Sequence, residues 1–404
     1  MKNYLAGIIA GLLILCPAIS CKSQKNIIRM NEYENVPGAE IRIFLCGDVM
    51  TGRGIDQALP HPADPVLYES WVKDARDYLK LAQQESGEID VPVSYNYIWG
   101  DAMEVWAKKT PQLKLINLET SITTHDEPWP GKGINYRMHP DNVDVLTVAG
   151  IDHCSLANNH ILDWGRPGMK ETVQTLDAAN IKSSGVGDNQ HEAARPGVLE
   201  VEQGRVLVFS YGSPGSGIPA TWAAEGDLSG INFLPGLDSL EIKTIKQQVD
   251  NIKKEGDIAV FSIHWGGNWG YDISRQHQEF AHLLIDEAGI DIICGHSSHH
   301  PMGIEVYNEK LIIYGAGDFI NDYEGISGHD EYRSELCFMY FPSVDPANGQ
   351  LRSLELVPME MRKFRLNRAS PADARWLQKT MNRENRILGT SLQTGSDNSL
   401  WLEW

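Results

Sequence analysis

Acidic, amide and imidazole side chains stand in this chain wherever a short apolar run stops. Ile41–Cys46 runs into Gly47-Asp48, Leu113–Ile116 into Asn117-Leu118-Glu119, and Cys154–Ala157 into Asn158-Asn159-His160. Ile258–Ile263 ends at His264, and Asp291–Cys294 ends at Gly295-His296-Ser297-Ser298-His299-His300. Carboxylates, an amide and several imidazoles form a mixed N/O donor set. A borderline divalent ion such as Zn, Mn or Fe accepts that mixture, whereas Ca or Mg takes oxygen ligands. His296 and His299, three apart after a strand, can converge on one ion from a tight loop. Each residue alone has a plainer reading: Asp48 as a turn cap, Glu119 as a loop carboxylate, His264 as a hydrogen-bonded core side chain. Taken together they point to one metal centre, holding one ion or two.

The positioning elements follow from the same runs. Short Val/Ile/Leu/Cys-rich stretches bounded by Gly and polar residues read as buried strands. Ligands of an α/β sheet bind outside the carboxyl ends of its strands, so the five polar ends are expected at the same end of one sheet. Amphipathic helices are expected at Met169–Ala179, opened by Arg166-Pro167-Gly168, and at Leu240–Lys254 and Gln276–Ala288. Pro near a first turn leaves no helical hydrogen bond unmade. Another helix-like stretch lies near Tyr68–Gln84, inside a long insertion over residues 60–100, and Val206–Tyr211 reads as a further strand. Alternating strands and helices imply a mainly parallel sheet covered on both faces. Beyond residue 300, Met302–Tyr307, Lys310–Tyr314, Leu336–Phe341 and Leu351–Met359 read as a second, antiparallel sheet, with Asn308-Glu309 as a hairpin turn. Pro371–Leu388 reads as a terminal helix capped by Ser370, and the tail from Gly389 as irregular.

The chain has 404 residues and a formal charge of −19. That balance argues against a nucleic-acid partner, whose phosphates need clustered Lys and Arg, and against an electrostatic hold on anionic lipid. An anionic substrate remains compatible, because a metal or a local Arg reverses the field inside a cleft. At the N-terminus, Lys2, the apolar stretch Tyr4–Leu15 and Ala18-Ile19-Ser20 have the layout of a targeting segment. The following Cys21 resembles a lipobox cysteine, with Ala18 where Leu is usual; a plain signal peptide and an uncleaved anchor are the alternatives. Residues 1–20 are accordingly expected as a lipoprotein signal peptide, Cys21 as the lipidated residue, and residues 22–38 as a tether. The expected location is extracytoplasmic, anchored to the membrane of the cell envelope. Cys46, Cys154, Cys294 and Cys337 sit in apolar runs without a CxxC spacing, which reads as core filling.

Phe44-Leu45-Cys46-Gly47-Asp48-Val49-Met50, Asn117-Leu118-Glu119-Thr120, Ala157-Asn158-Asn159-His160 with Asp163 and Gly165, His264-Trp265-Gly266, and Gly295-His296 through Glu305 together resemble the CapA family. Its members are capsule-synthesis proteins linked to poly-γ-glutamate. The resemblance runs over about residues 41–325. It implies a calcineurin-like metallophosphoesterase fold, an α/β sandwich of two packed sheets flanked by helices, over 41–365, followed by a C-terminal helix and tail at 366–404. It also implies Asp48, Glu119, Asn159, His264, His296 and His299 as metal ligands, and His160 as the general acid beside the ion. Departures from the phosphoesterase pattern are expected to matter for a second ion. Asp48 is followed by Val49-Met50 where the phosphoesterases have Asp-x-His, so one histidine is missing; Glu119 stands for the bridging Asp, and two residues separate His296 from His299.

Several side chains keep two readings. Arg53, after Gly52, either forks onto a phosphate or carboxylate at the pocket mouth or pairs with Asp56 or Asp48. Asp318 either orients a histidine or caps a turn. Trp265, Trp269 and Tyr271 either wall a cleft for an extended polymer or pack. For function, the first reading is a metal-dependent hydrolase. Its substrate would be a γ-linked glutamyl polymer, a wall peptide or a phosphoester, with His160 protonating the leaving group and Asp163 holding its ring. The second is a non-catalytic factor that helps the capsule-synthesis machinery make, export or anchor its anionic polymer.

Overall fold

Period-two alternation along the buried strands decides which way each side chain faces. In the strand Ile258–His264, Ile258 and Val260 enter the apolar layer between two sheets, while Ala259, Phe261 and Ile263 enter the layer beneath the helices. In Leu113–Leu118, Leu113 and Leu115 face the inter-sheet layer, and Ile116 and Leu118 face the opposite side. The computed structural model describes residues 40–404; the expected signal peptide, Cys21 and the tether lie outside the described residues.

The first sheet has a parallel half and an antiparallel half. Lys182–Ser184, His153–Ser155, Leu113–Leu118 and Ile41–Phe44 run parallel, and Asp48–Val49 continues the last strand beside Asp318–Ile320. On its other edge Ile41–Phe44 pairs antiparallel with Leu336–Val344, then Leu351–Met361, Leu400–Glu403 and Ser391–Thr394 follow. Gly204–Gly212, Ile258–His264, Ile292–His296 and Lys310–Ile313 form the parallel centre of the second sheet. Gly197–Val201 and Ile304–Tyr307 are its antiparallel edges.

Helices cover the outer faces. Ser239–Asp250 and Arg275–Asp286 bury Ile242, Ile245, Val249, Phe280 and Leu284 against the second sheet. Their starts are capped by the side chains of Asp238 and Ser274, which accept from backbone N–H groups of the first turn. Gly165–Ala178 lays Met169 and Leu176 on the first sheet, with Pro167 in its first turn. Arg76–Ser86 begins eight residues later than the helix-like stretch expected at Tyr68, because Leu67–Ala75 folds as an anchored loop. The result is the expected α/β sandwich of two packed sheets flanked by helices. At roughly 1.5–3 kcal/mol for each fully buried Leu, Ile, Val or Phe, its apolar layers outweigh the burial of a few charged groups at one end.

Three expectations change. The strand ends do not share one sheet: those of Asp48, Glu119 and Asn159 belong to the first, and those of His264 and His296 to the second. The strands beyond residue 300 do not make a separate antiparallel sheet. Ile304–Tyr307 and Lys310–Ile313, turned through Asn308 and Glu309 at positive φ, extend the second sheet, whereas Leu336–Val344 and Leu351–Met361 extend the first. The tail is not irregular, since Ser391–Thr394 and Leu400–Glu403 form a hairpin that buries Leu392, Leu400 and Leu402 in the inter-sheet layer. The terminal helix is present at Pro371–Asn385, with the Ser370 hydroxyl accepting from Asp373 N.

Candidate metal centre

Along each facing strand the inter-sheet face changes from apolar to polar at the carboxyl end. Leu115 gives way to Asn117 and then Glu119, Val260 to Ser262 and His264, and Ile292 to Cys294 and His296. Because the sheets face each other, these ends meet in one crevice. A close backbone approach brings Asp48 there. Gly47 lies against the 316–317 segment so tightly that a Cβ would sit 1.9 Å from the Gly317 carbonyl oxygen, and Asp48 N donates to that same oxygen at 2.9 Å.

Asp48, Glu119 and His264 offer ligand atoms within 4.8 Å of one another, and all three residues are buried. Glu119 Oε1 lies 3.7 Å from His264 Nε2 and 3.8 Å from His160 Nε2. Asp48 Oδ1 accepts from Asn117 Nδ2 at 2.7 Å, and Asp48 Oδ2 accepts from Ser297 N at 3.1 Å. His296 Nδ1 comes within 2.9 Å of Asp48 Oδ1, in a charge contact without the direction of a hydrogen bond. Two of the six expected ligands carry a buried polar atom with no hydrogen-bond partner, Asn159 Oδ1 and His264 Nε2, while His296 Nδ1 has only its charge contact with Asp48. Buried polar atoms are normally satisfied, so ring and amide atoms left without a hydrogen bond among the expected ligands suit an ion.

The electrostatics agree. Burial and the neighbouring Asp48 and Asp318 charges push the Glu119 carboxyl well above its ordinary range. Burial also pushes Asp48 up, but His296 and His264 outweigh it and hold the group at about 2. Burial disfavours the His296 imidazolium, yet Cys294 and Asp48 carry it up to about 10. Burial brings His264 down to about 3. A proton on His296 and a divalent cation are thus alternative ways to balance the same carboxylates. The donor chemistry fits the ion expected from the sequence.

His160 and Asp163 form the expected pair: His160 Nδ1 lies 2.7 Å from Asp163 Oδ2. The other Asp163 oxygen takes Lys132 Nζ, which also reaches the Asn159 carbonyl and lies 3.3 Å from His160 Nδ1. Burial, then Lys132, pushes His160 down to about 4. Asn158 fixes the loop, donating to Asn117 Oδ1 and the Leu118 carbonyl while accepting from His160 N.

Both ring nitrogens of His299 have protein neighbours. Its Nδ1 lies 3.0 Å from both Asp318 oxygens and its Nε2 is 2.9 Å from Asn268 Nδ2, so both nitrogens are engaged. Asp318 therefore orients a histidine rather than capping a turn. Arg53 does not open onto the crevice. It is buried, ion-paired with Asp322 and with Glu69 at 2.8 Å, and donates to Tyr78 Oη at 2.9 Å. Neither Asp48 nor Asp56 is its partner; Asp56 instead accepts from Ala63 N, His139 N and Asn142 Nδ2. Trp265 is buried and donates to the Tyr314 carbonyl, whereas Trp269 and Tyr271 pack with His300 and Tyr332. The four cysteines of the described residues are buried and free.

Lys132, Tyr136 and Asn117 complete the surroundings, and the first two carried no site signal of their own. Lys132 and Tyr136 lie in the Pro/Gly-containing loop after Thr124, which has no periodicity to place it. Asn117 could have been found by parity, since it shares a strand face with Leu115 and Glu119.

Known proteins match this chain over most of its length. The chain is 44% identical over 362 residues to a probable polyglutamine synthesis accessory protein of Mycobacterium tuberculosis, covering 89% of this chain and 95% of that one. It is 25% identical over 284 residues to the capsule biosynthesis protein CapA of Bacillus anthracis, covering 70% and 60% of the two chains. With the PGA biosynthesis protein CapA of Bacillus subtilis it shares 27% over 285 residues, covering 68% and 62%. Residues 42–323, which contain every expected ligand, match the bacterial capsule synthesis protein family PGA_cap, and the chain belongs to that family.

Proposed function

We propose that this protein is a metal-dependent hydrolase acting in the synthesis or processing of an anionic capsule polymer of the poly-γ-glutamate type. The family description and the names of the two CapA relatives support a capsule polymer, and one of those names prints PGA. One observation carries the metal: Asp48, Glu119 and His264 form a buried cluster of ligand atoms in which His264 Nε2 has no hydrogen-bond partner, and His296 Nδ1 adjoins it through Asp48. These residues, with Asn159, would hold Mn, Zn or Fe. When bound, the ion supplies a Lewis acid that polarises the scissile amide or phosphoester and makes water nucleophilic near neutral pH.

The chain's own residues supply the proton path. Asp163 Oδ2 takes the Nδ1 proton of His160, which leaves Nε2 facing Glu119 as the free nitrogen. With its pKa pushed down to about 4, His160 is a neutral imidazole at pH 7. Nε2 is then ready to accept the proton of the attacking water and pass it to the leaving group, so the acid role expected from the sequence becomes the second half of a base–acid sequence. Lys132 holds the Asp163 carboxylate in place.

A non-catalytic assembly, export or anchoring role is the second reading. It draws on Val49-Met50, which supplies no ligand where a phosphoesterase has histidine, and on the commitment of both His299 nitrogens to Asp318 and Asn268. Both readings place the protein outside the cytoplasm, held to the membrane through a lipid on Cys21. Two variants separate them. His160→Ala should keep bound metal and lose turnover on γ-glutamyl polymer by roughly 10²–10⁴-fold, the usual range for a positioned acid or base. His264→Ala should lose metal and turnover together. A wild-type protein that turns over no amide or phosphoester, with His160→Ala still supporting capsule formation, would leave only the assembly role.

A further inference from the structure

Two tyrosines join the two carboxylate–imidazole pairs of the crevice. The Tyr136 ring stacks on the His160 imidazole, with centroids 3.8 Å apart and planes at 19°. Tyr323 meets the His299 ring edge-on at 5.4 Å. Their hydroxyl oxygens are 2.9 Å apart. The phenol pair therefore spans from His160–Asp163 on one side to His299–Asp318 on the other. The Arg53 guanidinium lies 4.8 Å from the Tyr136 ring and 5.7 Å from that of Tyr323, and Asp322 and Glu69 fix it there.

A proton count singles the pair out. Two phenols bring two protons, and one of them lies between the two oxygens. Among the described residues the other has no protein acceptor, because each hydroxyl bonds only to its partner. Burial pushes both groups up, so both protons stay in place at neutral pH. The nearby cations are spoken for: Lys132 is held by Asp163 and the Asn159 carbonyl, and Arg53 by Asp322 and Glu69. This leaves one O–H, beside the ligand cluster, without a protein group to serve.

We infer that Tyr136 and Tyr323 form an oxyanion-binding element, in which the uncommitted O–H donates to the acyl or phosphoryl oxygen that gains charge as water adds. The inference rests on the hydrolase reading and names the group that reading lacked. Preorganised donors of this kind contribute most where charge develops. Arg53, through its contact with both rings, acts as a positioning residue for the pair.

The test uses the full chain loaded with Mn, with inorganic phosphate as the oxyanion probe. Wild type, Tyr136→Phe, Tyr323→Phe and the double variant are compared for metal content, thermal unfolding and phosphate affinity by calorimetry. Phe preserves the ring contacts, so metal content should not change. The tyrosine that faces the ligand should cost about 10- to 100-fold in phosphate affinity when replaced, as expected for a hydrogen bond to a charged group. The other should cost only a few-fold, and the double variant should match the worse single one. If Tyr136→Phe lacks native unfolding, Tyr323→Phe alone still reads the effect. Phosphate binding within about twofold of wild type in every folded variant would overturn the inference and leave the hydrolase reading standing, as would a metal-loaded wild type that binds no phosphate. A wild type that takes up no metal would remove the hydrolase reading first, and this inference with it.

Discussion

Removing the guanidinium of Arg53 should destabilise the protein strongly, and more so at high pH. Arg53 is buried and balances two buried carboxylates, Asp322 and Glu69. In Arg53→Leu, Asp322 keeps only the Gly54 N–H and Glu69 keeps the Tyr78 hydroxyl. Breaking a buried pair from one side costs about 3–5 kcal/mol. The upper end applies here, because two carboxylates are orphaned and the guanidinium also leaves the Tyr78 face at 3.9 Å. At about 2 °C per kcal/mol, the figure for large domains, melting should fall by roughly 10 °C. Burial already pushes the Asp322 carboxyl up, and Arg53 opposes that. Without Arg53 its folded pKa rises further above the unfolded value of about 3.9. A carboxyl raised in this way contributes stability that is present below the unfolded pKa and lost as pH rises through the folded one. The deficit should therefore be largest near pH 8 and shrink towards pH 5. Arg53→Lys should fall between, keeping the charge but not the fork. Denaturant melts of the three proteins at both pH values measure this. A loss below about 1 kcal/mol at pH 8, or one of equal size at both pH values, would refute the reasoning.

Gly47→Ala should be among the most damaging single-methyl changes, since the new Cβ would sit 1.9 Å from the Gly317 carbonyl oxygen and displace the Asp48 strand. Soluble yield and metal content of that variant should fall together, and a native melt with full metal would count against the packing described. Cys21→Ser should release the protein from the membrane fraction or leave it unprocessed; unchanged lipid labelling would rule out the lipid anchor.

The candidate cluster was legible because chemistry and strand grammar coincide: Glu119, His264 and His296 each end an apolar run, and buried strands deliver their ends to one place. The sheet count was not legible. Period-two parity does contain it, since Leu115, Val260 and Ile292 share an inter-sheet layer with Asn117–Glu119, His264 and His296 beyond them, but a continuous apolar run hides which face is which. The C-terminal hairpin escaped because two four-residue strands around Gly395–Ser399 give too short a pattern to separate from loop. Arg53 was misplaced because its partners, Glu69 and Asp322, are 16 and 269 residues away. Lys132, Tyr136 and Tyr323 reach the crevice from loops, whose paths are set by tertiary contacts rather than by periodicity. His299 has the spacing of a ligand, but only the positions of Asp318 and Asn268 reveal that its nitrogens are taken.

Anomalous scattering from crystals of the purified protein grown with Mn tests the metal centre most directly. The expected result is a peak bounded by Asp48, Glu119, Asn159, His264 and His296, with at least one Mn per chain by elemental analysis. Crystals with no peak in that crevice, and a protein holding no stoichiometric metal in solution, would contradict it.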